Sequence, residues 1–165
     1  MLISKSQVKA LLAFASKDAT RPHLCGVYLD GSQAVAIDGH TLLALELEGE
    51  PCTGLVPRAW FEQLGKVLGR DPTELVVADG AVSCSALPPV ALSSATFPSW
   101  RQVIPAPYLG RPAEPVGLCC AYLARLELVT RALGCDGMAL ESAGALDPVV
   151  ARAPGAVAVV MPMRI

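Results

Sequence analysis

The sequence predicts an α+β fold of three repeated modules, with antiparallel sheets on one side and helices gathered on the other. Three observations carry that expectation. Apolar stripes at helical spacing begin near residues 6, 57 and 119. Each stripe is followed by short β-rich runs joined through tight-turn residues. The helix starts recur at intervals of roughly 50 to 60 residues, as expected for a repeated supersecondary unit.

The first helix is expected over about residues 6 to 17, where Val8, Leu11, Leu12 and Ala15 fall on one face. Lys17 then points away from that stripe and Lys9 lies on its flank. The second helix opens at Pro57, a residue well suited to a first turn. It buries Trp60, Phe61, Leu64, Val67 and Leu68, leaving Arg58, Glu62 and Lys66 outward. The third buries Tyr122, Leu123, Leu126, Val129 and Leu133, with Arg131 outward and Arg125 on the flank.

Between the helices, Asp30-Gly31 and Asp79-Gly80 are the dipeptides that tight hairpins favour, each flanked by apolar runs. Ala143-Gly144 plays a similar part between Met138-Ala139-Leu140 and Val149-Val150-Ala151. Each unit therefore reads as strand, helix and several antiparallel strands, the βαβββ pattern. The stretch from Ile104 to Pro115, with Pro105, Pro107, Pro112 and Pro115, is expected to be an extended connector. It divides the chain into residues 1–110, holding two modules, and 111–165, holding one.

Composition excludes several classes. With 165 residues and 53% hydrophobic content, the chain can bury a core and is not disordered. No signal peptide or membrane span is expected. Six cysteines without a CxxC pair, and only two histidines, argue against a metal site and for free thiols in a reducing cytoplasm. No cofactor motif is present. Asp38, His40 and Cys25 are the only residues that suggest catalysis, and no oxyanion site, Gly-rich phosphate loop or nucleophile elbow accompanies them.

Net charge is −2, which by itself gives no reason to expect nucleic-acid binding. Its distribution says more. Segments 1–21, 57–70 and 119–133 hold nine Lys/Arg against three Asp/Glu, and the remainder holds four against twelve. Positive helices beside acidic sheets suggest a face for a polyanion. Glu46, Glu48 and Glu50 are expected on the outer sheet, where they discourage edge pairing.

The final residues, Val159-Val160-Met161-Pro162-Met163-Arg164-Ile165, are apolar where a free tail is normally polar, so the tail is expected to dock on its own fold. This run resembles the carboxyl end of the bacterial DNA polymerase III beta subunit, the sliding clamp. Two further segments share the resemblance. One is Arg21-Pro22-His23-Leu24-Cys25-Gly26-Val27 with Ala36-Ile37-Asp38-Gly39-His40; the other is Phe97-Pro98-Ser99-Trp100-Arg101-Gln102-Val103-Ile104-Pro105. The resemblance implies a DNA-clamp fold and a non-catalytic protein. Residues 1–110 would match the family's central domain, and the remainder the second half of its last domain.

In that family a shallow pocket between those domains binds a short peptide carried by partner proteins. By motif position the resemblance implies a lining of Leu24, Gly39, His40, Thr41, Leu42, Pro98, Val103, Val159, Met161, Pro162 and Met163. Thr41 and Gln102 stand where the family usually has arginine, and Ile37 where threonine is common. The resemblance also implies non-sequence-specific contacts to double-stranded DNA through Lys9, Lys17, Arg21, Arg58, Lys66, Arg125 and Arg131. Expected partners are a DNA polymerase or other protein with a clamp-binding peptide, and a clamp loader. The implied function is a processivity or tethering factor that encircles duplex DNA as a homo-oligomer. A ring with the family's module count would take four chains; a two-fold dimer is the other assembly. The alternative function is a non-ring module that captures clamp-binding peptides and competes with or redirects a resident clamp.

Overall fold

A computed structural model describes residues 1–105 and 115–164, so most of the proline-rich connector lies outside the described residues. The chain opens with a short strand β1 (Leu2–Ile3) and helix α1 (Lys5–Phe14). Ser4 caps α1: its hydroxyl accepts from the Gln7 amide while the Gln7 side chain accepts from the Ser4 amide. This reciprocal box satisfies backbone donors that the first turn leaves free. The helix ends at Phe14, with Ala15 already extended. Lys17 thus lies in the following loop, not on the helix as the sequence predicts.

Strands β2 (Gly26–Gly31), β3 (Gln33–Ile37), β4 (Thr41–Glu46) and β5 (Cys52–Pro57) follow, leading into α2 (Arg58–Val67). Next come β6 (Thr73–Glu74), β7 (Val76–Ala78), β8 (Ala81–Cys84) and β9 (Leu87–Ala91). At the β7–β8 turn, Asp79 and Gly80 both take positive φ, 51° and 71°, as a type I′ hairpin requires. A 3₁₀ turn at Trp100–Val103 precedes the undescribed stretch. Beyond it lie α3 (Cys120–Leu133), β10 (Ala139–Glu141), β11 (Val149–Ala153) and β12 (Ala156–Val160). Among the described residues no strand leads into α3.

Seven strands form one antiparallel sheet in the order β10-β11-β12-β4-β3-β2-β5. Its central seam joins the two described segments: β12 pairs with β4 from Ala156 opposite Leu45 to Val160 opposite Thr41. β7, β8 and β9 make a second sheet, and β1 pairs with β6. The helices lie in a row, with α1 packed against both α2 and α3. Side chains alternate across a strand, so Leu43, Leu45 and Ala158 enter the core under the helices, beside Phe14 and Phe61. Val35, Leu42, Ala44 and Val159 face the other way and meet Trp100 in a smaller cluster.

Helix burial differs from the sequence expectation in two places. Val67 is 53% exposed, because α2 ends there and its last residue no longer faces the core. On α3 only Val129 is fully buried, while Tyr122, Leu123, Leu126 and Leu133 are half-buried. The cause is position: α3 stands at the end of the row and has a helical neighbour on one flank only. Glu46, Glu48 and Glu50 are all exposed, though only Glu46 belongs to a strand.

Candidate functional site

A cavity of about 230 Å³ opens on the sheet face away from the helices. Its floor is a cross-strand row: Ile37 on β3 sits opposite Leu42 on β4, which sits opposite Val159 on β12. Residues directly opposite share a face, so the seam between the two segments becomes the base of the cavity. Leu24, Pro98, Val103 and Met161 supply apolar walls, and His23, Gly39, His40 and Thr41 complete the rim. The volume falls below the ~300–1,000 Å³ of drug-sized ligand sites and suits a side chain or two.

The rim is built by one aspartate. Asp38 Oδ1 accepts from the amides of His40 (2.9 Å) and Thr41 (2.8 Å) and from the Thr41 hydroxyl (3.0 Å). This arrangement fixes a tight turn in which Gly39 takes φ 94°, a conformation that side-chain-bearing residues rarely adopt. The tail then docks as a wall: the Met161 amide donates to His40 O at 3.0 Å and the Met163 amide to Gly117 O at 2.9 Å.

Of the residues the resemblance places at the pocket, Leu24, Gly39, His40, Thr41, Leu42, Pro98, Val103, Val159 and Met161 all line this cavity. Pro162 and Met163 do not line it; Met163 is 47% exposed just beyond the wall. The structure adds His23 and Ile37. Ile37 was within reach of sequence reasoning, since alternation along β3 puts it on the same face as Val35.

Behind the turn, α3 locks onto it. Arg125 Nη1 lies 2.5 Å from both Asp38 Oδ2 and Thr41 Oγ1. The Arg125 guanidinium also stacks over Tyr122, whose ring stacks on His40. Burial pushes the Asp38 carboxyl toward its neutral form. The bond from Arg125, the two backbone amides and the Arg125 charge outweigh that, and hold its pKa below the ordinary value. Thr41, where the resembling family usually has arginine, therefore still meets a guanidinium, delivered from α3.

The helix side carries the positive charge. A cleft of about 610 Å³ runs between α1, α3 and the Lys17–Arg21 loop, bordered by Lys9, Lys17, Arg21, Arg58 and Arg125. Among the described residues, Lys9, Lys17 and Lys66 are exposed and make no ion pair. Arg21 pairs with Asp18 and Arg131 with Glu127, both at the surface where such pairs contribute little. Arg58 and Arg125 are occupied inside the fold. Arg58 donates to Leu12 O and Ala15 O, both at 2.8 Å, closing the carboxyl end of α1, and also pairs with Glu62. Lys5 and Arg70, outside the predicted set, border the same surface beside Lys9 and Arg131.

The residues that suggested catalysis are engaged elsewhere. The Cys25 thiol donates to Asp18 O at 2.9 Å, and Asp38 is held by Arg125 and Thr41. All six cysteines are free thiols. Among the described residues no cluster of His, Cys, Asp or Glu is placed to hold a metal, and no helix is long and apolar enough to cross a membrane.

No sequence-family model and no curated protein matches this chain. Solved structures do match. The Caulobacter crescentus beta sliding clamp aligns with a TM-score of 0.77 at 16% identity, over 100% of this chain and 65% of that one. The Bacillus subtilis DNA polymerase sliding clamp gives 0.73 at 16%, over 100% and 64%. The DnaN sliding clamp (DNA polymerase III subunit beta) of Bartonella birtlesii, solved with griselimycin bound, gives 0.72 at 18%, over 100% and 66%. The present chain thus spans a little under two thirds of each of these proteins. From end to end it has the fold of the bacterial DNA polymerase sliding clamps.

Proposed function

We propose that this chain is a non-catalytic, clamp-like tether that captures a short apolar peptide of a partner protein while its helix face rests on duplex DNA. The observation that carries the reading is the cavity at the seam, with a floor drawn from β3, β4 and β12 and a wall formed by the docked tail. Leu24, Gly39, His40, Thr41, Leu42, Pro98, Val103, Val159 and Met161 form the peptide site, with Pro162 and Met163 at its outer lip. Each buried Leu or Phe anchor contributes about 1.5–3 kcal/mol before ordering costs. Methionine at the wall suits several related peptides, because its side chain adapts its shape. Partners would be a DNA polymerase or other replication protein that carries such a peptide in the cytoplasm. The test is fluorescence anisotropy of a short labelled peptide with adjacent Leu and Phe. Micromolar, saturable binding supports the reading; no binding at millimolar peptide contradicts it.

The second half of the proposal rests on the unpaired cations. Lys9, Lys17 and Lys66, with Lys5 and Arg70, would meet phosphates without reading bases, since among the described residues no element is shaped to enter a groove. Arg21 and Arg131 would contribute from their surface pairs, whereas Arg58 and Arg125 act through the fold. Replacing Lys9, Lys66 and Arg70 by Glu should lower the salt dependence of duplex binding by about 0.9 per lost phosphate contact. An unchanged slope of log K against log salt would place the duplex elsewhere.

Encirclement of DNA depends on assembly. A four-chain ring would need both ends of each chain to meet a neighbouring chain.

A further inference from the structure

The chain has two histidines, His23 and His40, and both border the cavity at the seam. They are the only residues on that border that can carry a charge; apart from Gly39 and Thr41 the rest of the lining is apolar. His23 comes from the loop before β2, and His40 from the turn between β3 and β4. A further cation stands at the same rim. A side chain at Gly39 would meet Arg21 Nη1 at 3.1 Å, so the Arg21 guanidinium lies against the turn. Arg21 gives its Nε to Asp18 at 3.2 Å and is 50% exposed.

No carboxylate answers these groups. Among the described residues none borders the cavity. Asp38, beneath the rim, is engaged by Arg125, Thr41 and the His40 amide, and Asp18 by Arg21 and Thr20. On its other side His40 borders the helix-side cleft, where Arg58 and Arg125 are paired with Glu62 and Asp38, and where Lys9 and Lys17 make no ion pair. Its ring stacks on Tyr122, which the Arg125 guanidinium covers. Arg101, on the 3₁₀ turn beside Val103, is paired with Asp30, and Arg164 is exposed on the tail. The acidic groups around the rim are thus already occupied, and the charge left over is positive. An apolar floor under a positive rim is complementary to an apolar segment that also carries negative charge.

We infer that the peptide seated at the seam carries a carboxylate beside its apolar anchors, held by His23, His40 and Arg21, and that acid tightens the complex. This inference rests on the peptide reading proposed above and adds to it a charge preference and a response to pH. Histidine gains its positive charge between pH 8 and pH 5. A peptide glutamate, ordinarily titrating near 4.3, stays largely ionised over that range, and arginine and lysine keep their charge. The histidine–carboxylate attraction therefore grows as pH falls from 8 to 5.5, and a peptide without the carboxylate does not share the gain.

The test is fluorescence anisotropy on the full chain with two labelled, end-blocked peptides, Glu-Leu-Phe-Glu and Gln-Leu-Phe-Gln. Titrations run at pH 5.5 and pH 8 at one ionic strength, with circular dichroism to confirm folding. At pH 5.5 the Glu peptide is expected to bind about fivefold tighter than the Gln peptide, the upper range for one exposed ion pair. At pH 8 that ratio should fall to about twofold or less, with Arg21 as the remaining partner. His23→Gln combined with His40→Gln should make the ratio equal at both pH values, and Arg21→Gln should lower it at both. Equal affinities at pH 5.5, a ratio indifferent to pH, or a pH dependence that survives in the double variant would each overturn the inference. The two proposals separate cleanly. Equal binding of both peptides keeps the cavity as a peptide site and removes only the charge preference; binding of neither at millimolar concentration rejects the site and this inference together.

Discussion

Arg125→Met will destabilise the protein by about 3 kcal/mol, the lower end of the cost of stranding one partner of a buried ion pair. The lower end applies because Asp38 keeps its bonds from Thr41 and two backbone amides, and the Arg125 and Asp38 side chains retain 24% and 15% of their exposure. The substitution also removes the guanidinium stacked on Tyr122, loosening α3 from the pocket rim. Acid dependence gives a second readout. Asp38 has a lowered pKa in the folded protein, so its contribution is present above the unfolded value of about 3.9 and fades as pH falls through the folded one. With Arg125 gone, burial raises the Asp38 pKa with less to oppose it, and the acid transition shifts to higher pH. Urea unfolding at neutral pH and at pH 4 measures both effects. Equal stability of Arg125→Met and wild type would show that the contact is not a staple.

Deletion of residues 161–165 should reduce peptide affinity by at least about tenfold, the loss of roughly one anchor's burial, while changing the melting temperature little. The floor residues Ile37, Leu42 and Val159 stay in place, because they belong to strands that end before the deletion. What goes is the Met161 wall and its backbone bond to His40. Isothermal titration with the same peptide checks the affinity and a thermal melt checks the fold. Undiminished binding by the truncated chain would remove the tail from the site.

Local signals in this sequence are good, and long-range ones are absent. The helices around Leu11, Phe61 and Val129, and the Asp79-Gly80 hairpin, follow from periodicity and turn chemistry that act over a few residues. Some local signals are present but easily passed over. Ser4 and Gln7 mark the true start of α1, and Pro154-Gly155 between alanine- and valine-rich runs marks the β11–β12 turn, where Gly155 takes φ 83°. The seam between β4 and β12 is different in kind. Residues 41–45 and 156–160 meet across more than a hundred positions, and nothing in either run names the other. The same holds for the two internal arginines. Arg58 looks like an outward helix residue until the fold brings Leu12 and Ala15, more than forty residues earlier, within 2.8 Å. Arg125 meets Asp38 across 87 positions. Most of the pocket lining was legible only through resemblance to a known family, since apolar residues at Leu24, Leu42 and Val159 read equally well as core. Val67 and the half-buried stripe of α3 show the converse, apolar positions that periodicity assigns to the core and the limited extent of the helix layer leaves open.

A peptide seated at the seam is the central claim. The most direct measurement is a titration of isotope-labelled protein with an unlabelled Leu-Phe peptide, following amide shifts residue by residue. Shifts that saturate together at Ile37, Gly39, His40, Leu42, Val159 and Met161, with Lys9 and Lys66 undisturbed, are the predicted result. Saturating shifts on the helix face alone, or none at any residue bordering the cavity, would contradict it.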